Sequence, residues 1–225
     1  MSLDYQGSAG AKHSASTIEL VIFDADGVLF DSGESNTAYY NAIFAEIGEP
    51  PLSPEEERNG VFHATSRMFA DRAAGDHVKL ARMKEVARNL DSQLFFNMLR
   101  PPFELRPFML ELKQRYRLGL ATNRSTTVPG LVTHLDLDGI FDAIASAYDK
   151  VQPKPAPDIV KLCVERAGTV CERAVYVGDS PTDLEAAEGA GTDFIGIGDR
   201  VRHRNFIGNL GELPAALERI AVGRG

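Results

Sequence analysis

A chain of 225 residues, 44% hydrophobic and 25% charged, has the composition of an ordinary globular protein, with length for one sizeable core and an inserted subdomain or for two small domains. Its net charge of -8 argues against general binding to nucleic acid or anionic membranes, and no apolar run approaches a membrane-spanning length. Cys163 and Cys171 are the only cysteines and form no metal-type cluster; with no secretory signal at the N-terminus, they place the chain in the cytoplasm.

Residues 1–16, rich in Gly, Ser and Ala, predict a disordered tail. Ile18 to Phe23 reads as a strand buried on both faces, an apolar run without alternation. It ends in Asp24 and Asp26, whose side chains point the same way on an extended chain, and Gly27 then permits a turn. Such Asp residues also occur simply as turn formers at strand ends, so the stretch gains meaning only from partners elsewhere.

After Ser32-Gly33 the period becomes helical. Asn36 to Ile47 places Tyr40, Ile43, Phe44 and Ile47 on one face, with Gly48 as C-cap. Ser53-Pro54-Glu55-Glu56 starts a second helix expected to reach Ala70. A third is expected from His77 to Met98, with Met83, Val86, Ala87, Leu90 and Leu94 on one stripe, and Pro101-Pro102 stops it. Three helices between two strands exceed the needs of one crossover, so residues 33–103 read as an inserted helical cap on a core of 17–32 and 104–225. The cap cations Arg58, Arg67, Arg72, Arg82 and Arg88, and His63, read mostly as surface charges.

Regular alternation follows. A helix with Leu105, Phe108, Met109, Leu112 and Tyr116 on one face leads to a strand at Leu118–Ala121 and the loop Thr122-Asn123-Arg124-Ser125. Further elements are a helix over 127–135, strands over 143–146, 174–177 and 193–197, and helices over 158–167, 181–190 and 213–222. Alternating strands and helices predict an α/β fold with a doubly wound parallel sheet.

In such a sheet the loops leaving the strands share one edge. Asp24, Asp26, Thr122, Lys154, Asp179 and Asp183 therefore converge despite their separation in sequence. Four carboxylates together repel and raise one another's pKa values, which a divalent cation relieves. An all-carboxylate set without His or Cys suits Mg²⁺ rather than zinc. Asp24 and Asp179 are the expected direct ligands, and Asp183 binds directly or through water. An ionised carboxylate attacks phosphorus without a partner base, so Asp24 is a candidate nucleophile, with Asp26 placed to protonate the leaving oxygen and then to activate water. Lys154, the Thr122 hydroxyl and the Asn123 N–H would hold a phosphoryl group. Arg124 is the next candidate for the substrate. Each has a plainer role too: Thr122 as a turn residue, Lys154 as a loop cation, Asp183 in a capping box with Ser180, Asp31 and Ser32 as hinge residues. Arg200, Arg202, His203 and Arg204 read as a solvated loop, with an anionic substrate tail as the alternative.

The run Phe23-Asp24-Ala25-Asp26-Gly27-Val28-Leu29-Phe30-Asp31-Ser32, together with Thr122, Lys154 and Gly178-Asp179-Ser180-Pro181-Thr182-Asp183, resembles the haloacid dehalogenase-like (HAD) phosphohydrolase superfamily. The resemblance is to the branch with a helical cap after the first core strand, which includes phosphoglycolate phosphatase-like and beta-phosphoglucomutase-like members. It implies a Rossmann-like core, Mg²⁺ held by Asp24, Asp179, the backbone carbonyl of Asp26 and Asp183, and an aspartyl-phosphate on Asp24. It further implies a small phosphorylated metabolite as substrate and a monomer or homodimer. A phosphomutase shares these core residues and is the alternative. A dehalogenase fits poorly because Asp26 is present, a phosphonatase would need a desolvated cap lysine such as Lys79 or Lys84, and a non-catalytic scaffold would not keep the whole set. The segment Pro102-Phe103-Glu104-Leu105-Arg106-Pro107-Phe108 lacks the glycine turn of many capped relatives, so the second hinge is expected to close differently.

Overall fold

The computed structural model describes residues 17–60 and 65–223. The tail expected over 1–16 lies outside them, as do His63 and the side chain of Arg58. Six parallel strands form one sheet in the order β3-β2-β1-β4-β5-β6: β1 Leu20–Phe23, β2 Arg117–Thr122, β3 Ala143–Ser146, β4 Ala174–Gly178, β5 Asp193–Ile197 and β6 Phe206–Ile207. β1 sits at the centre, Ile22 in register with Gly119 on one side and Tyr176 on the other.

The unbroken apolar run of β1 follows from its two buried faces. Val21 and Phe23 join the core beneath helices α5 (Leu105–Lys113), α6 (Val128–His134) and α9 (Leu213–Gly223). Leu20 and Ile22 join the opposite core beneath α7 (Asp158–Arg166) and α8 (Pro181–Ala190). The approach of α7 is close: a Cβ on Gly119 would stand 2.6 Å from Cys163 Sγ.

Between β1 and β2 lie α1 (Gly33–Glu46), α2 (Pro54–Gly60), α3 (Thr65–Ala73), α4 (His77–Asn89) and a 3-10 segment, Ser92–Met98. Helices α1, α3 and α4 surround a separate core of Tyr40, Ile43, Phe44, Met68, Phe69 and Met83, whereas Phe96 of the 3-10 segment joins the core beneath α5 and α6. The helix expected from 53 to 70 is described as α2 and α3, with residues 61–64 between them outside the described set. The helix expected from His77 to Met98 is corrected: it stops at Leu90, whose backbone is extended, and Asp91 caps the next segment by accepting from Gln93 N at 3.0 Å. The break turns Leu94 out of the predicted stripe, and it is 66% exposed. Strand β6 is a further correction: the predicted strands end with the one over 193–197, and a short sixth follows it.

The two connections to the inserted helices run side by side. Asp31 and Arg100 exchange backbone hydrogen bonds of 3.0 Å each, Asp31 Oδ1 accepts from Gly33 N at 2.8 Å, and Arg100 Nη2 meets Glu34 at 2.9 Å. Asp31 thus has the plainer of its two readings, a turn residue at the hinge.

Candidate active site

The loops leaving β1, β2 and β4, and the one before α7, meet at the C-terminal edge of the sheet. Asp24 continues the β1–β4 ladder, its N–H donating to Val177 O at 3.0 Å. The turn behind it depends on Gly27, at φ +77°: a Cβ there would lie 1.9 Å from Asp179 Oδ2. Gly178 is equally constrained, since its Cβ would lie 2.3 Å from that of Asp183. Bare backbone at 27 and 178 is what lets the acids of two loops close on each other.

Lys154 lies at the centre, buried, and each of its three N–H groups has an acceptor: Asp24 Oδ1 at 2.7 Å, Asp183 Oδ1 at 2.7 Å and Tyr176 Oη at 2.8 Å. Its backbone is pinned by Asn123, whose Oδ1 accepts from Lys154 N at 2.8 Å and whose Nδ2 donates to Lys154 O at 3.1 Å. Burial alone would lower the ammonium, but Asp183 and Asp24 outweigh it and hold it charged.

Asp183 is the most enclosed of the acids, at 1% exposure. Its Oδ1 faces Lys154 Nζ and the Tyr176 hydroxyl, and its Oδ2 accepts from Asp179 N, Ser180 N and Ser180 Oγ at 3.2, 3.1 and 2.6 Å. The capping box is completed by Asp183 N donating to Ser180 Oγ at 3.3 Å. Five donors meet about four lone-pair sites, so the carboxylate is saturated by protein groups. Burial would raise it, but Lys154 and the donors of Ser180 and Tyr176 hold it below the usual carboxylate range.

Asp24 and Asp179 go the other way. Burial pushes Asp24 up to about 8 against the pull of Lys154, and Asp179 up to about 7 against Arg200 and Lys154. One carboxylate oxygen each of Asp24, Asp179 and Asp183 lies within 4.8 Å of the others. This buried, all-oxygen set fits a hard divalent cation, whose charge would favour the ionised forms that burial opposes. The side chain of Asp26 is not one of these three: it is near enough to raise Asp24 and Asp179, but it is gripped by Arg124 from Nε to Oδ2 at 2.6 Å and from Nη2 to Oδ1 at 2.7 Å. Burial would raise Asp26 as well, but the guanidinium overrides it and holds it low.

By sequence Arg200 belongs to a solvated loop or meets an anionic substrate tail. In the structure it meets Asp179 Oδ2 from Nη1 at 2.9 Å. Arg204 stays 78% exposed. Tyr176 lies outside the residues that the sequence motifs mark. Its hydroxyl, besides accepting from Lys154, faces Ala121 O at 3.1 Å and Asp183 Oδ1 at 3.0 Å. The available signal was a tyrosine in a strand buried on both sides, where a buried hydroxyl needs a partner. Thr122 is buried, its Oγ1 accepting from Arg124 N at 3.2 Å.

The family model for haloacid dehalogenase-like hydrolases matches residues 21–197. The chain belongs to this family. The inserted helices place it in the branch of HAD-like hydrolases with a helical cap after the first core strand. Among relatives, the phosphoglycolate phosphatase of Pseudomonas putida is 27% identical over 79% of this chain and 68% of its own length. The phosphorylated carbohydrates phosphatase of Thermotoga maritima is 28% identical over 79% of this chain and 84% of its own. A solved HAD-superfamily hydrolase of subfamily IA from Geobacter sulfurreducens superposes with TM-score 0.74 at 28% identity, covering 93% of this chain and 100% of its own.

In this HAD-like hydrolase the cap cations have structural work. Arg72 lies over the Phe44 ring at 4.4 Å and meets Glu56 at 2.6 Å, and Lys79 meets Glu49 at 2.8 Å. Arg67 pairs with Asp71 on the surface, and Arg82, Lys84 and Arg88 are exposed. Among the described residues no helix is long and apolar enough to cross a membrane.

Proposed function

We propose that the chain is a Mg²⁺-dependent phosphatase of a small phosphorylated metabolite, working through an aspartyl-phosphate on Asp24. The observation that carries this reading is Asp24 on Lys154 at 2.7 Å within a buried group of three carboxylates. The phosphatase names of the relatives from Pseudomonas putida and Thermotoga maritima support it and direct the search to phosphoglycolate and phosphorylated sugars.

Asp24 and Asp179 would hold the Mg²⁺ directly, with the backbone carbonyl of Asp26, while Asp183 would seat Lys154 and the Asp179 loop beside it, and would reach the ion directly or through water only by giving up one of its protein donors. When bound, the ion supplies positive charge that keeps Asp24 ionised and neutralises phosphoryl oxygens. An oxygen of Asp24 attacks phosphorus and the bond to the leaving oxygen breaks; Asp26, released from Arg124 and protonated from solvent as substrate binds, gives that oxygen a proton. Water then attacks the phosphoryl group, its proton passes to Asp26, and the phosphorus bond to Asp24 breaks. Lys154, Thr122 Oγ1 and the Asn123 N–H steady the charge spread over the group in transfer. The segment 33–103 acts as a cap that excludes bulk water from this step, and the enzyme works in the cytoplasm as a monomer or homodimer.

A panel of phosphorylated metabolites assayed for released phosphate with Mg²⁺ tests the reading. Release from at least one metabolite is expected, with loss of about 10²-fold or more in Asp24→Asn while circular dichroism and melting behaviour stay near those of the wild type. Full activity in that variant would end the proposal.

A further inference from the structure

Every acid of the cluster faces a cation: Lys154 meets Asp24 and Asp183, Arg124 meets Asp26, and Arg200 meets Asp179. Four carboxylates against three cations leave one net negative charge when every group is ionised. Lys154 and Arg124 come from loops that the sequence motifs mark. Arg200 comes from a further loop, the one after β5, and touches an acid that also belongs to the three-carboxylate set.

That loop presents Arg200 from a fixed base. Its neighbour Val201 is buried in the core beneath α7 and α8, so close to β5 that a Cβ on Gly196 would stand 3.2 Å from Val201 Cγ1. Gly196 N donates to Asn205 O at 2.9 Å, and Gly198 N donates to Ile207 O at 3.2 Å. From there Arg200 Nη1 donates to Asp179 Oδ2 at 2.9 Å.

Asp179 has other supports for its position. Its N–H donates to Asp183 Oδ2 at 3.2 Å, and its carboxylate lies against the bare Cα of Gly27. What Arg200 adds is charge, in a part-buried site where salt screens little. That charge repels a second cation brought to the same carboxylates and attracts an anion. A divalent cation alone would turn the cluster net positive, whereas a divalent cation and a phosphate dianion together leave its net charge unchanged.

We propose that Arg200 is a built-in counter-charge of Asp179, which weakens binding of Mg²⁺ alone and favours its entry together with a phosphate dianion. The proposal rests on the Mg²⁺-dependent reading above and adds the residue that sets how readily the metal site fills before substrate arrives. Arg200 takes no part in bond breaking.

The test is titration calorimetry on the full chain at one pH and ionic strength, in the wild type, Arg200→Gln and Arg200→Lys. The probes are Mg²⁺ alone, inorganic phosphate alone with chelator, and Mg²⁺ at saturating phosphate. Arg200→Gln keeps most of the bulk and loses the charge. It is expected to bind Mg²⁺ alone at least about fivefold more tightly than the wild type, and phosphate alone more weakly. Opposite shifts for the two probes are the signature of charge, since a disturbed fold or a displaced Asp179 would weaken both. Arg200→Lys keeps the charge and should stay near the wild type for both.

Mg²⁺ binding to Arg200→Gln no tighter than to the wild type would overturn the proposal, and weaker binding would make Arg200 an orienting partner of Asp179 instead. A shift in Arg200→Lys as large as that in Arg200→Gln would also overturn it. A wild type and an Arg200→Gln variant that both take up no Mg²⁺, with phosphate or without, would overturn the Mg²⁺-dependent reading itself.

Discussion

Gly27 shows how one missing atom supports the site. At φ +77° an L side chain is strained, and a methyl group would stand 1.9 Å from Asp179 Oδ2. Asp179 has little room to yield, with Arg200 on the same oxygen at 2.9 Å. Gly27→Ala is therefore expected to lower stability by about 1–3 kcal/mol and to weaken Mg²⁺ binding, seen in urea melts and in titration calorimetry. Unchanged metal affinity would separate Gly27 from the seating of Asp179. Around it, four carboxylates meet three cations, so much of the repulsion expected from the sequence is already balanced by protein groups. Asp24 and Asp183 share Lys154, yet Asp183 is held low while Asp24 rises to about 8. The difference follows from donors: Asp183 adds Ser180 and backbone N–H groups, whereas burial dominates Asp24.

Among the elements, the inserted helices form their own core, with Arg72 as a polar strut. It is 11% exposed, stacked on Phe44, paired with Glu56, and hydrogen-bonded to the carbonyl of Pro50. Removing it leaves Glu56 Oε1 without its cation and an opening beside Phe44. Arg72→Ala is expected to cost about 1–3 kcal/mol, confined to this region. Hydrogen exchange checks this: amides of α1 and α3 should lose protection while those of β1 and β4 keep theirs. Uniform loss would mean that the helices and the sheet unfold as one unit. The hinge ion pair Arg100–Glu34, more than half exposed on both sides, contributes far less, and the reciprocal backbone bonds of Asp31 and Arg100 carry that connection. Strand positions were legible because aliphatic runs bounded by turn residues recur along the chain. Helix α4 was misread because Asp91 looks like any polar position of a long stripe until its side chain caps Gln93.

For the whole molecule, the raised acids link stability to pH. A carboxyl with a raised folded pKa contributes stability that is complete below its unfolded value of about 4 and is lost as pH climbs through the folded value. With Asp179 near 7 and Asp24 near 8, the chelated protein is expected to lose melting temperature between about pH 4 and about pH 8. Asp26 and Asp183 are held low, so their transitions fall below this window. Mg²⁺ binds the ionised forms, so its stabilising increment should grow over the same interval. Thermal melts with chelator and with Mg²⁺ at several pH values test both signs; an increment that shrinks with pH would contradict the carboxylate site.

By itself the sequence determined the alternation of strands and helices, the insertion between the first two strands, and the edge where Asp24, Thr122, Lys154 and Asp179 would gather. It could do so because burial on two faces, turn chemistry and parallel topology are written into local residue patterns. Only the tertiary structure decided which charge answers which. Tyr176 under Lys154, Arg124 on Asp26 and Arg200 on Asp179 join residues 22, 98 and 21 positions apart. Such pairings depend on distances and side-chain directions set by packing between loops, and no periodicity along one segment encodes them.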